Sequence, residues 1–278
     1  MGVLNITPNS FSDGDENLSL LDVENKLNKL ISWANIIDIG AESTAPFNRA
    51  IDSSVELKRF DQLLIPVLEK MSDPETVVSI DTYKIDVFDF VARKIKDYWP
   101  KSDLVFNDVS GKIDDVLMNY LTSSELDFSY VFCHNLCPTR DESSNHMNHC
   151  EDSLSIEMVK DFFSTGLNKL TKSKRKIILD PCFGFSKTRE QNHMLIKKMP
   201  FLLDHFLEHD FIFGVSKKSF MRFPKDLDIN TDIGRSIVQS TEAILLYKLK
   251  AYSKRLIIRT HSCESLMAIE SSCKILND

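Results

Sequence analysis

Glycine, proline and cysteine are all scarce in this 278-residue chain, at 8, 9 and 6. Such counts exclude a collagen-like repeat, a Pro/Gly-rich linker between domains and a disulfide scaffold. No apolar run approaches the ~18 residues of a membrane-spanning helix, and the first residues lack the basic and apolar regions of an export signal. These absences predict a cytoplasmic protein with reduced thiols and no membrane partner. Basic charge is short too. The 34 Lys and Arg residues against 41 Asp and Glu leave a net charge of −7, which is the wrong sign for a nucleic-acid partner. What the chain does have is a 42% hydrophobic content, ample for a sizeable core.

The apolar residues are organised as a repeating pattern rather than a repeating sequence. Short apolar runs that end in a polar residue fall at 2–6, 36–40, 77–81, 104–109, 130–134, 177–181, 211–216 and 256–261. Stretches of helical period follow them at 20–34, 55–71, 84–97, 113–123, 154–171, 189–199, 233–251 and 262–276. Leu20, Val23, Leu27, Leu30 and Ile31, for example, form one apolar stripe. Continuous apolar strands alternating with covering helices predict an α/β protein with a parallel sheet buried on both faces. Eight such units over 1–278 predict a single TIM (β/α)8 barrel. Longer polar stretches at 7–19, 42–54 and 138–153 follow strand ends, the barrel face where loops build active sites.

Barrel geometry draws functional side chains from the ends of several strands. Here those ends carry Asn5, Asp38, Asp81, Asn107, His134, Asp180, the Lys217-Lys218 pair, Arg259 and His261. Some polar residues at strand ends are expected as caps for the following helices, but this set has a chemical character. Asp81, Asn107, Asp180 and Lys218 supply acceptors and donors for the edge of a flat, nitrogen-rich heterocycle. Arg259 can lie over one face of such a ring, with Phe185 on the other. Asn5, Arg259 and His261 suit an anion, with Mg²⁺ carried by a diphosphate.

Two motifs fail. The segment 184–188 resembles the tail of a phosphate-binding loop, but Ser186 takes the place of its second glycine. Cys133, His134, Cys137, His146, His149 and Cys150 follow no zinc-site spacing.

Seven ordered blocks carry a family resemblance: MGVLNITPNSFSDG at 1–14, DIGAEST at 38–44, SIDTYK at 79–84, NDVSG at 107–111, DPCFGFSKT at 180–188, GVSKKS at 214–219 and RTH at 259–261. Together they resemble dihydropteroate synthase over nearly the whole chain. The resemblance implies condensation of 6-hydroxymethyl-7,8-dihydropterin diphosphate with p-aminobenzoate, giving 7,8-dihydropteroate and diphosphate in folate biosynthesis. It implies a dissociative substitution, in which diphosphate departs before the arylamine attacks the pterin cation. It also implies residue roles. Asn5 would contact Mg²⁺ on the diphosphate, and Asp81, Asn107, Asp180 and Lys218 would hold the pterin with Phe185 and Arg259 packed around it. Arg259 and His261 would serve the leaving group, and Ser219 the aminobenzoate carboxylate. Thr7, Pro8 and Phe11 of one closing loop, Thr44 of the other, Cys133 and Gly214 complete the expected substrate-binding set. Sulfonamides are the expected competitors, and a homodimer the expected assembly.

The chain departs from the family pattern at several positions. Asn9 stands for an Asp and Ala45 for an Arg in the two loops, Cys182 and Ser186 for glycines, Lys217 for an Arg and Cys133 for a Met. Two other readings follow from that: a pterin-binding homologue that has lost catalysis, and a methyltetrahydrofolate-dependent methyltransferase. The Thr7-Pro8 loop and Lys218-Ser219 argue against the methyltransferase.

Overall fold

The computed structural model describes residues 1–7, 18–43, 50–222, 228, 231–264, 266–267 and 271. Eight strands, β1 (Gly2–Asn5), β2 (Ile36–Gly40), β3 (Val77–Asp81), β4 (Asp103–Asp108), β5 (Ser129–Cys133), β6 (Ile177–Asp180), β7 (Asp210–Phe213) and β8 (Leu256–Ile258), run in sequence order in one sheet. All seven neighbouring pairs are parallel. A parallel bridge between Gly2 and Thr260 returns the chain beyond β8 to β1, where Val3 N–H donates to Thr260 O at 3.2 Å. The sheet thus curls onto itself as the barrel expected from the sequence.

Between the strands lie α1 (Leu20–Ile31), α2 (Ser53–Arg59), α3 (Ile65–Lys70), α4 (Ile85–Tyr98), α5 (Asp115–Ser123), α6 (Ile156–Leu170), α7 (Arg189–His205) and α8 (Asp232–Lys248). A π-helical turn, Phe60–Leu64, joins α2 to α3. Capping explains several starts: the Ser19 and Asp22 side chains bond each other's backbone ahead of α1, and Thr188 and Gln191 do the same for α7. In α6, Gly166 is required by packing, because a Cβ there would lie 2.2 Å from the Phe132 ring of β5.

The structure moves some expected boundaries. The helix expected to end at Met199 runs through Pro200 to His205, with Leu202 and Leu203 fully buried. Their burial outweighs the backbone hydrogen bond that proline cannot make. The expected strand ending at Ser216 stops at Phe213, and the polar stretch at 138–153 contains a 3-10 helix, Asp141–His149. Most of the helix expected at 262–276 lies outside the described residues.

Strand side chains alternate between two environments. Leu104, Phe106, Tyr130, Phe132, Leu179, Phe211 and their like face the helices and form the larger core. The other parity faces the barrel axis, where Val105, Val131, Ile178 and Ile212 form a separate apolar cluster with Ile36, Val77 and Ile257 against it. One or two positions further along that same parity stand Asn5, Asp38, Asp81, Asn107, Cys133, Asp180 and Arg259.

Candidate active site

Above the apolar floor, Asp38 organises the barrel mouth. It sits fully buried in the middle of β2. Its carboxylate accepts from Ser79 Oγ at 2.6 Å, from Asn107 Nδ2 at 3.1 Å and from Arg259 Nε at 2.6 Å. The Nη2 of Arg259 reaches Asp81 at 2.7 Å, so one guanidinium bridges carboxylates on β2 and β3. Burial alone would depress the Arg259 pKa, but Asp38 and Asp81 hold it above the ordinary arginine range. Burial, reinforced by the charge of Asp38, pushes the Asp81 carboxyl up.

A cavity of about 360 Å³ opens over this network. Asn5, Asp81, Asn107, Asp180, Phe185, Gly214, Lys218, Ser219, Arg259 and His261 all line it, so most of the residues singled out in the sequence share one space. Cys133 is fully buried beneath it, with Sγ 3.9 Å from Asp180 Oδ2. Thr7 is buried just past β1 and is not among the lining residues. Pro8, Phe11 and Thr44 lie outside the described residues, as do Asn9 and Ala45.

Asp180 Oδ1 accepts the backbone N–H of Cys182 at 2.6 Å, and burial raises its pKa. Lys218 Nζ stands 5.0 Å from the centre of the Phe185 ring, and its pKa is lowered by burial and then by Arg259. The Lys218 stem passes over Gly184, whose φ of +85° only glycine adopts easily; a Cβ there would meet Lys218 Cδ at 3.4 Å. Two lining residues carry buried atoms with no hydrogen-bond partner among the described residues, Asn107 Oδ1 and His261 Nδ1. Burial, together with the charges of Arg259, Lys217 and Lys218, pushes the His261 pKa down to about 3, leaving a neutral imidazole at neutral pH.

The loops that frame the cavity are pinned from below. Glu42 at its rim takes hydrogen bonds from Tyr83 OH at 3.2 Å and Ile51 N at 3.1 Å and pairs with Lys84, which also binds the buried Glu56 at 2.7 Å. Arg140 anchors the 138–153 stretch by bonding Asp108 at 2.6 Å and the carbonyls of Tyr83 and Lys112. His146 of that stretch stacks on Phe185 at 4.1 Å. Lys187, fully enclosed, donates to the carbonyls of His134, Cys182 and Phe185 and so stiffens the loop after β6.

The sequence places Asp38 at a strand end without giving it a role. A carboxylate inside the apolar run Ile-Ile-Asp-Ile is the signal, because a buried charge demands partners. Glu42 and His146 fall in the 42–54 and 138–153 stretches expected to build the site, but only tertiary packing shows that these two residues line the cavity. The six residues weighed for zinc do not converge. Cys137 Sγ donates to Asn135 Oδ1 and Glu142 O, His149 pairs with Glu142, and His146 stacks on Phe185.

The fold and mouth define a (β/α)8-barrel enzyme whose charged residues surround a cavity suited to a polar heterocycle. The chain belongs to the pterin-binding enzymes: residues 1–246 match the family described as "Pterin binding enzyme". Within that family it stands with the dihydropteroate synthases. That of Bacillus subtilis (strain 168) is 32% identical over 231 residues, covering 82% of this chain and 73% of that protein. The mitochondrial folate synthesis bifunctional protein of Pisum sativum is 34% identical over 238 residues, which are 80% of this chain but 43% of that longer protein. Among solved structures, the Clostridium difficile dihydropteroate synthase crystallised in the presence of pteroic acid superposes with a TM-score of 0.73 at 26% identity, covering 100% of this chain and 96% of that one. The family match ends before β8 and before Arg259 and His261, which the structural superposition over 100% of the chain includes.

Proposed function

We propose that this chain condenses 6-hydroxymethyl-7,8-dihydropterin diphosphate with p-aminobenzoate, forming 7,8-dihydropteroate and diphosphate. The observation that carries the reading is the buried, unpartnered Asn107 Oδ1 on a cavity wall shared with the carboxylates of Asp81 and Asp180 and the ammonium of Lys218. A buried acceptor without a partner costs about 1–3 kcal/mol. A pterin offers N–H groups to such acceptors, and ring nitrogen and oxygen acceptors to Lys218.

In the reaction the bond between the pterin methylene carbon and the diphosphate oxygen breaks, and the electron pair leaves with diphosphate. The aminobenzoate nitrogen then bonds to that carbon and releases a proton to solvent or to the departing diphosphate. No enzymic nucleophile is required. The chain's task is to hold the heterocycle, keep water from the cation and hold the leaving group's charge. Asp180 and Asp81 stabilise the positive charge that develops on the ring. Arg259, with Lys217 close by in the same cavity, faces the anion, and His261 acts there as a neutral hydrogen-bonding group. Ser219 and Lys218 meet the aminobenzoate end.

Magnesium enters this reading with the diphosphate. Asn5 is a neutral oxygen donor exposed at the end of β1, in a cavity wall that also carries Lys217, Arg259 and His261. Such a donor set fits a cation that arrives already neutralised by phosphate oxygens and repels a bare one. When bound, Mg²⁺ would neutralise charge on the leaving group.

We extend the reading to a cytoplasmic homodimer. Free thiols at Cys133, Cys137, Cys150, Cys182 and Cys263 support a reducing compartment, and light scattering after gel filtration tests the dimer. Sulfonamides, as aminobenzoate mimics, should raise the KM for aminobenzoate and leave kcat unchanged. Inhibition independent of aminobenzoate concentration would contradict the assignment of that end of the cavity.

A further inference from the structure

At the floor of the cavity, Cys133 on β5, Asp180 at the end of β6 and Cys182 just beyond it present ligand atoms that all lie within 4.8 Å of one another. We propose that these three side chains form a binding site for a thiophilic divalent cation of the zinc class, and that occupancy of the site closes the cavity to heterocycles.

One ligand pair already stands near tetrahedral spacing. With metal–sulfur bonds of about 2.3 Å and metal–oxygen bonds of about 2.1 Å, neighbouring ligand atoms in a tetrahedral site stand roughly 3.5–3.8 Å apart. Cys133 Sγ and Asp180 Oδ2 are already 3.9 Å apart. Asp180 and Cys182 line the cavity, which leaves the fourth position open on that side for a water or an exogenous ligand.

The backbone supplies an independent observation. Cys182 has a φ of +55°, a left-handed conformation that costs a side-chain-bearing residue roughly 1–2 kcal/mol. At this strained position the side chain is one that completes the three-ligand cluster.

The electrostatics also fit. Binding would release the two thiol protons to solvent, so two thiolates and one carboxylate surround a doubly charged cation with one negative charge in excess. Lys187, Lys218 and Arg259 stand close enough to Asp180 to act on its charge, and they offset that excess. Before metal binds, burial pushes the Cys133 thiol up. Mg²⁺, a hard cation that takes oxygen ligands, would not compete here.

The test is titration of reduced protein with Co²⁺ as the spectroscopic probe, followed by Zn²⁺. One equivalent of Co²⁺ should produce thiolate-to-metal charge-transfer absorption and the intense visible bands of a tetrahedral centre, and Zn²⁺ should remove both. Cys133→Ser and Cys182→Gly should each abolish the charge-transfer band, while circular dichroism confirms that the variants are folded. Absence of the band in the wild type would overturn the site. So would its persistence in the double variant, since the signal would then come from Cys137, Cys150, Cys263 or Cys273. Mutual exclusion with the heterocycle rests on the proposed function: 6-hydroxymethylpterin should prevent Co²⁺ binding, and Zn²⁺ should inhibit competitively with the pterin diphosphate. The cobalt bands require no catalysis. Their absence therefore counts against the metal site, whereas bands without mutual exclusion count against Asp180 as a heterocycle ligand.

Discussion

Two layers inside the barrel differ by two to four residues along the same strands, yet they obey opposite rules. The lower layer, with Val105, Val131, Ile178 and Ile212, is apolar and closed. The upper layer holds Asp38, Asp81, Asn107, Asp180 and Arg259 in a network that takes burial of charge as its starting point. Close packing alone satisfies the lower layer. The upper layer is satisfied only through partners, and Asn107 Oδ1 and His261 Nδ1 remain without one. The same inward parity thus delivers stability at one depth and ligand chemistry at the next.

The largest break of this comparison should come from Asp38→Ala. It leaves the Arg259 guanidinium buried beside an empty position, and loss of one partner from a buried ion pair costs about 3–5 kcal/mol. Urea denaturation should register that loss together with a collapse of activity, whereas Asp38→Asn keeps the volume and one of the two acceptor oxygens and should lose less stability. Next in size, Ile212→Ala in the lower layer removes fully buried methylenes and should cost about 2–5 kcal/mol. Its KM values should be unchanged, because the layer touches no ligand. A raised KM would show that the two layers are coupled.

A third effect appears only below neutral pH. The unfolded His261 takes up a proton near its ordinary 6.5, but the folded one resists until about 3. Between those values the unfolded state binds more protons, so stability falls as pH drops from 6.5 toward 3. The pH dependence of unfolding should be shallower in His261→Gln over that window. The smallest expected effect lies outside both layers, at Lys174, which adopts a φ of +55° in the turn before β6. Lys174→Gly should stabilise by about 0.5 kcal/mol, the strain relieved exceeding the entropy glycine adds to the unfolded chain. Its kinetics should match the wild type, in contrast to changes at Cys182, Ser186 and Lys217, whose left-handed conformations lie on the loops of the cavity side.

Most of the barrel is legible in the sequence because strands buried on both faces read as continuous apolar runs, and the helices carry a clear stripe. Strand ends are legible as polar residues, and that pattern by itself locates Asp81, Asn107, Asp180 and Arg259. Less legible is what depends on distant contacts. The helix through Pro200 is invisible because a local rule, proline as terminator, gives way to burial of Leu202 and Leu203. His146 meets Phe185 across 39 residues of chain, and no local pattern predicts such a pairing. Cys182 and Ser186 stand out in the sequence as departures from glycine, but only the dihedral angles of +55° and +49° explain why glycine suits those positions.

The central claim, that the upper layer binds a pterin diphosphate and transfers its pterinylmethyl group to an arylamine, is tested most directly by diphosphate release with and without p-aminobenzoate in the presence of Mg²⁺. Release should require both substrates, accompany formation of 7,8-dihydropteroate mole for mole, and fall by at least about a hundredfold in Asp180→Ala, as loss of a charge-stabilising group does elsewhere. No release by the wild type at saturating substrates, or undiminished release by Asp180→Ala, would contradict it.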